Sequence, residues 1–209
     1  MLPYLEMENL YTQFKWDPGF RGPNFISAND NFFRNKIKLY QCPSDSVGVV
    51  AGEGLPLSAD GWSRANYVVC NSPEGSIMEK NLTSFELACN NLRNPATKKA
   101  FFNWNITRSY KDISDGSSNT IGLSEVISGP DQTPDFRGVW FSDLGSSYSH
   151  FLTPNSKQPD LLHGNYCFPR KAPCTGGAPC WSGIIVGARS MHAGGVNGAM
   201  LDGSVRFFV

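Results

Sequence analysis

His192 and Asp202 are residue types that serve as base and acid in hydrolysis, and they lie in a compact C-terminal stretch. The order is Arg189-Ser190-Met191-His192-Ala193-Gly194-Gly195-Val196-Asn197, then, after Leu201, Asp202-Gly203-Ser204-Val205-Arg206-Phe207. Nine residues separate His192 from Asp202-Gly203. A histidine titrates near neutral pH and can serve as a proton carrier or a metal ligand. Its surroundings favour a structural role. Asp202 takes the first position of an Asp-Gly turn, where its side chain bonds local backbone and Gly203 supplies a positive φ. His192, just before Gly194-Gly195, caps the loop entering the following strand or bonds a backbone carbonyl. Metal or ligand contact is the second reading and catalysis the third. The chain has no Gly-x-Ser-x-Gly elbow, no phosphate loop and no dinucleotide fingerprint.

The six cysteines are Cys42, Cys70, Cys89, Cys167, Cys174 and Cys180. None of them pairs at the two-residue spacing of a zinc knuckle or a thioredoxin motif, and only three histidines are present. The stretch from Cys167 to Cys180 is rich in Pro and Gly and cannot order itself. Disulfides are therefore expected, with at least one in that stretch; free structural thiols and a metal site are the alternatives. The spacing does not choose among the pairings. Disulfides imply an oxidising compartment, yet Met1-Leu2-Pro3-Tyr4-Leu5-Glu6 is not a signal peptide. The original N-terminus is expected to be missing.

Two other groups of residues carry chemistry. Asp112 and Asp115, in Asp112-Ile113-Ser114-Asp115-Gly116-Ser117-Ser118-Asn119, offer oxygen donors of the kind calcium prefers. They depart from the calcium-loop pattern, and an Asp-Gly turn with a cap is the favoured reading. Trp104, Trp140 and Trp181 are candidates for stacking on sugar rings if exposed, and are core if buried. Asn81-Leu82-Thr83 and Asn105-Ile106-Thr107 fit the glycosylation sequon, a short and frequent chance match.

The elements that position these residues are short. With 21 Gly and 14 Pro in 209 residues, many turns must separate brief strands. Lys plus Arg equals Asp plus Glu, so nothing draws a polyanion, and nucleic acid is not an expected partner. No apolar run is long enough to span a bilayer. Residues 2–14 carry apolar side chains at near-helical spacing, and residues 15–35 read as an extended loop. Strands are expected at 37–40, 65–70, 121–127 and 138–141, with a short helix at 82–91 opened by a capping box at Thr83 to Glu86. Residues 196–201 and 204–209 read as a hairpin with a two-residue turn at Asp202-Gly203. That register places Val196, Met200, Val205, Phe207 and Val209 together on the core face.

His192-x9-Asp202-Gly203 resembles the C-terminal signature of a bacterial prepilin-type family. Several stretches match that family in order: Leu2-Pro3-Tyr4-Leu5-Glu6 with Asn9-Leu10-Tyr11; Cys42-Pro43-Ser44-Asp45; Ala65-Asn66-Tyr67-Val68; Asp115 to Thr120 with Ser124-Glu125; and Arg137-Gly138-Val139-Trp140. The family's leader, cleavage site and long apolar helix have no counterpart here. The resemblance implies one pilin-like α+β domain over 1–209, with loop-rich insertions at about 46–63 and 153–182. The end of an N-terminal helix would pack on an antiparallel sheet closed by a C-terminal hairpin. It also implies a non-enzymatic pilin or pseudopilin-like subunit of a surface filament or type II secretion apparatus, periplasmic or extracellular. Its partners would be copies of itself or other pilin-like subunits, with membrane contact only through the missing helix. No cofactor is expected, calcium being the alternative. The rival functions are a cell-surface glycan-binding module and, last, a hydrolase using His192.

Overall fold

The computed structural model describes residues 2–16, 23–51, 60–72, 100–102, 107–142, 145–178 and 184–209. The expected helix at 82–91, both sequons, Cys89, Cys180, Trp104 and Trp181 lie outside the described residues. The fold is α+β. Its strands are β1 (Tyr67–Ser72), β2 (Ile121–Glu125), β3 (Ser147–Ser149), β4 (Asp160–Leu161), β5 (Cys174–Thr175), β6 (Val196–Met200) and β7 (Val205–Phe208). Five of them form a sheet in the order β3-β1-β2-β6-β7, and β4 pairs with β5. The sheet is mixed rather than purely antiparallel, because β3 runs parallel to β1. A parallel neighbour cannot follow through a tight turn, and β3 joins the far edge of β1 only after the chain has passed through β2.

Among the described residues, the two α-helices differ from expectation. The N-terminal stretch is a 3-10 turn at Leu2–Leu5 and a single turn α1 (Glu8–Tyr11), separated at Glu6, whose φ is +59°. The supposed loop contains an 11-residue helix, α2 (Pro23–Phe33). Pro23 occupies its first position, where a missing N–H costs nothing. Ile26, Asn29, Phe32 and Phe33 then line one buried stripe, with Asn29 bonded in both directions to the backbone of Lys15. Residues 37–40 form no strand: Lys38–Tyr40 is a 3-10 turn. Nor do 138–141. Gly138 has φ +80° and breaks the run, leaving a single bridge between Arg64 and Val139.

The hairpin is present, one residue out of the expected register. Ala199 pairs with Val205 and Val196 with Phe208, so three residues, Leu201-Asp202-Gly203, make the turn. Gly203 takes φ +86°, the left-handed conformation such a loop requires. A one-residue slip sends each side chain of β7 to the opposite face. Phe208 therefore packs inward over Gly198, where a Cβ would meet its ring at 2.8 Å. Val205, Phe207 and Val209 face outward instead, 67%, 49% and 90% exposed.

Two apolar clusters fill the interior. One is aromatic and surrounds α2, where Phe33 stacks on Phe141 at 4.0 Å and meets Trp62 edge-on at 4.8 Å. The other lies under the sheet, with Val68, Cys70, Val126, Tyr148 and Val196. Between the sheet and the long loops runs a chain of buried charges. Arg137 bonds Asp135 at 2.7 Å and Asp160 at 3.0 Å, and Asp160 in turn accepts from Arg189 at 2.9 Å. Arg137 also donates to the carbonyls of Phe168 and Ala172, tying down the loop that carries Cys167.

In that loop Cys167 and Cys174 form a disulfide. Cys42 and Cys70 depart from the disulfide expectation: both are buried thiols, Cys70 packed against the Tyr148 hydroxyl. Closing so short a loop removes chain entropy worth about 2.5 kcal/mol from the unfolded state. Reducing the disulfide should lower the urea unfolding free energy by about that amount, an effect that Cys167→Ser with Cys174→Ser should reproduce.

Candidate functional site

Several of the stretches singled out in the sequence converge in space. Asn66, buried just before β1, is the hub. Its Oδ1 accepts from the Cys42 backbone N–H at 2.8 Å, and its Nδ2 donates to Asp45 Oδ2 at 2.7 Å and to the Val126 carbonyl at 2.9 Å. Asp45 accepts further from the backbone N–H and hydroxyl of Ser128, and pairs with Lys171 at 2.5 Å. The Cys42-Pro43-Ser44-Asp45 turn is thereby fixed against the ends of β1 and β2.

Burial alone would raise the Asp45 pKa. Hydrogen bonds from Lys171 and Asn66, the Lys171 charge and the Ser128 N–H outweigh it and hold the carboxyl below the ordinary range. A carboxylate whose folded pKa is depressed adds stability above its unfolded pKa of about 4 and loses it as pH falls through the lower folded value. The melting temperature should be flat from neutral pH to about pH 5 and should drop below about pH 4. Asp45→Asn should be less stable at pH 7 and should show a shallower acid slope.

His192 stands over the same region. The outer face of the sheet carries Tyr67, Val69 and Leu123 and, across β6 and β7, Ala199 and Val205. Glu125 lies at the end of this face and is only 1% exposed. Its Oε2 accepts from the Asn197 N–H at 2.7 Å, and its Oε1 lies 3.1 Å from His192 Nε2. The same Nε2 is 3.5 Å from Cys42 Sγ. His192 is itself held by its backbone N–H, which donates to Ser190 Oγ at 3.0 Å. Cys42, Glu125 and His192 present one donor atom each, all within 4.8 Å of one another. Among the described residues this is the group of three histidine, cysteine or acidic side chains able to share a cation.

His192 and Asp202 are not brought together for joint chemistry. Asp202 is exposed at the hairpin tip, where Oδ1 accepts from the Ser204 N–H at 2.9 Å and from its hydroxyl at 2.7 Å. Those bonds hold its pKa below the usual carboxylate value. Of the calcium candidates, Asp112 Oδ2 accepts from the Ser109 N–H in a capping box, and Asp115 Oδ1 accepts from Ser114; both are exposed. Trp140 is packed against Phe32 and Phe141 at 5.3 and 5.8 Å as part of the α2 cluster. The participants that sequence reasoning missed are Glu125 and, as a ligand-type thiol, Cys42. Both lay in stretches already singled out, but neither stretch names its partner across 67 and 150 residues.

No curated protein and no solved structure matches the chain. A family model described as "Protein of unknown function (DUF1559)" matches residues 1–209. With its whole length covered by that model, the chain belongs to the DUF1559 family.

Proposed function

We propose that this domain is an exported, pilin-like structural subunit that assembles with copies of itself or with related subunits, rather than an enzyme. The family's association with pilin-like and type II secretion proteins supports the reading. The observation that carries it is β7. This strand is at the edge of the five-stranded sheet and turns Val205, Phe207 and Val209 outward. Monomeric proteins blunt such an edge with charge, proline or a bulge, because open ladder groups beside apolar side chains recruit another chain. The Cys167–Cys174 disulfide fits an oxidising compartment outside the cytosol.

The test is fractionation of cells expressing the full gene product, followed by shearing of surface material. The protein should appear in the membrane or surface fraction with its disulfide intact. Phe207→Lys should remove it from sheared assemblies without changing the melting temperature of the domain. Recovery in the cytosol with reduced cysteines, or assemblies indifferent to Phe207→Lys, would overturn the proposal.

A further inference from the structure

We propose that Cys42, Glu125 and His192 bind a single divalent cation of the zinc class, with the fourth coordination position left to water. The distances fit. In a tetrahedral site with Zn–S of about 2.3 Å and Zn–N and Zn–O of about 2.0 Å, the sulfur and nitrogen lie about 3.5 Å apart and the nitrogen and oxygen about 3.3 Å. Here the separations from His192 Nε2 are 3.5 Å to Cys42 Sγ and 3.1 Å to Glu125 Oε1.

Counting protons points the same way. A single ring nitrogen faces both the thiol and the carboxylate, and it carries at most one proton. It can donate to Glu125 or accept from Cys42, but not both. A nucleophile–base–acid relay is also excluded by this geometry, since a relay uses the two ring nitrogens for different partners. A cation among the three atoms satisfies all of them at once.

The ligands are also held in place before any ion arrives. Asn197 fixes the far oxygen of Glu125, Asn66 binds the backbone N–H of Cys42, and Ser190 binds that of His192. The Tyr67 hydroxyl hydrogen-bonds the Cys42 thiol. Such outer partners orient metal ligands and select their geometry. A thiolate, an imidazole and one carboxylate suit zinc, not the all-oxygen shells of calcium or magnesium. Cys42 and Glu125 are buried, but the His192 side chain is 31% exposed, which leaves an entry path and room for a water ligand. A bound ion would cross-link three segments far apart in sequence: the turn after the Lys38–Tyr40 helix, the end of β2 and the loop before β6.

The inference does not depend on the assembly reading and is tested on the purified, EDTA-treated protein with its disulfide intact. Cobalt(II) serves as the probe and zinc as the competitor. One cobalt per chain should produce intense tetrahedral bands and a thiolate-to-cobalt charge-transfer band, both abolished by one equivalent of zinc. Cys42→Ser should eliminate the charge-transfer band, and His192→Gln should weaken zinc binding by about 100-fold or more. Absence of a thiolate band at stoichiometric cobalt, or its survival in Cys42→Ser, overturns the site. Should Cys42→Ser fail to fold, the half-buried His192→Gln decides, and unchanged zinc affinity in that variant overturns it equally.

Discussion

Replacing Arg137 with methionine should lower the unfolding free energy by about 3–5 kcal/mol. The guanidinium is 1% exposed and neutralises two carboxylates, Asp135 and Asp160, that are fully buried. Methionine fills much of the same volume, so the loss is chiefly electrostatic. It leaves Asp160 with Arg189 and the Gly187 N–H, and Asp135 with the backbone N–H groups of residues 137 and 168 and the distant charge of Arg64. Removing one partner from a buried pair costs about 3–5 kcal/mol, and here one cation serves two anions. That is a large part of the roughly 5–15 kcal/mol that holds a domain together. Near-ultraviolet circular dichroism and urea titration would show it. The double replacement of Arg137 and Asp135 by apolar residues should recover part of the loss, because it no longer strands the second charge. A wild-type urea midpoint for Arg137→Met would mean that the buried chain of charges contributes little.

The neighbouring residue gives the second large effect. Gly138→Ala places a Cβ 2.3 Å from the backbone oxygen of Ala65, at a residue whose φ is already +80°. Ala65 cannot retreat: its N–H donates to the Gly138 carbonyl at 2.6 Å, and the adjacent Arg64 is bridged to Val139. Backbone strain of about 1–3 kcal/mol adds to a clash that only a shift of two segments can relieve. Gly203→Ala provides the calibration. Its φ is +86°, yet nothing lies within 4 Å of the added carbon, so it should cost only about 1 kcal/mol. The difference in melting temperature between the two alanine variants measures crowding at Gly138 free of the conformational penalty that both share. Equal melting temperatures would show that the close approach to Ala65 is absent in solution.

What could be read in advance followed the range of the interactions. β2, most of β1, a terminal hairpin turning at Asp202-Gly203, though with Leu201 added to the turn, and a disulfide in the Pro- and Gly-rich loop are local features, and these are found. The helix at Pro23–Phe33 escaped because Pro, Gly and Asn dominate its neighbourhood, and Asn29 holds a core position through bonds to Lys15 that no periodicity reveals. The hairpin register escaped for a different reason. Apolar Val205 and Phe207 argue for a buried face, whereas the empty space over Gly198 accepts the ring of Phe208 and decides the matter. At the candidate metal site, His192 was visible as a distinctive residue. Its partners were not, since a Glu at the end of a strand reads as solvent-facing until the Cys42 turn is folded over it.

The strand order also governs the sequence of events in folding. β2 is completed on one side by β1 and on the other by β6, whose Asn197 contacts Glu125 across 72 residues, while His192 reaches Cys42 across 150. The middle of the sheet therefore stays open until the last part of the chain has been synthesised. Loop closure over such separations is slow, and a nascent chain lacking β6 has the residues of the aromatic cluster around α2 but not the cluster under the sheet, which needs Val196. The domain therefore gains its two halves in order: the half around α2 has its residues early, and the sheet closes last.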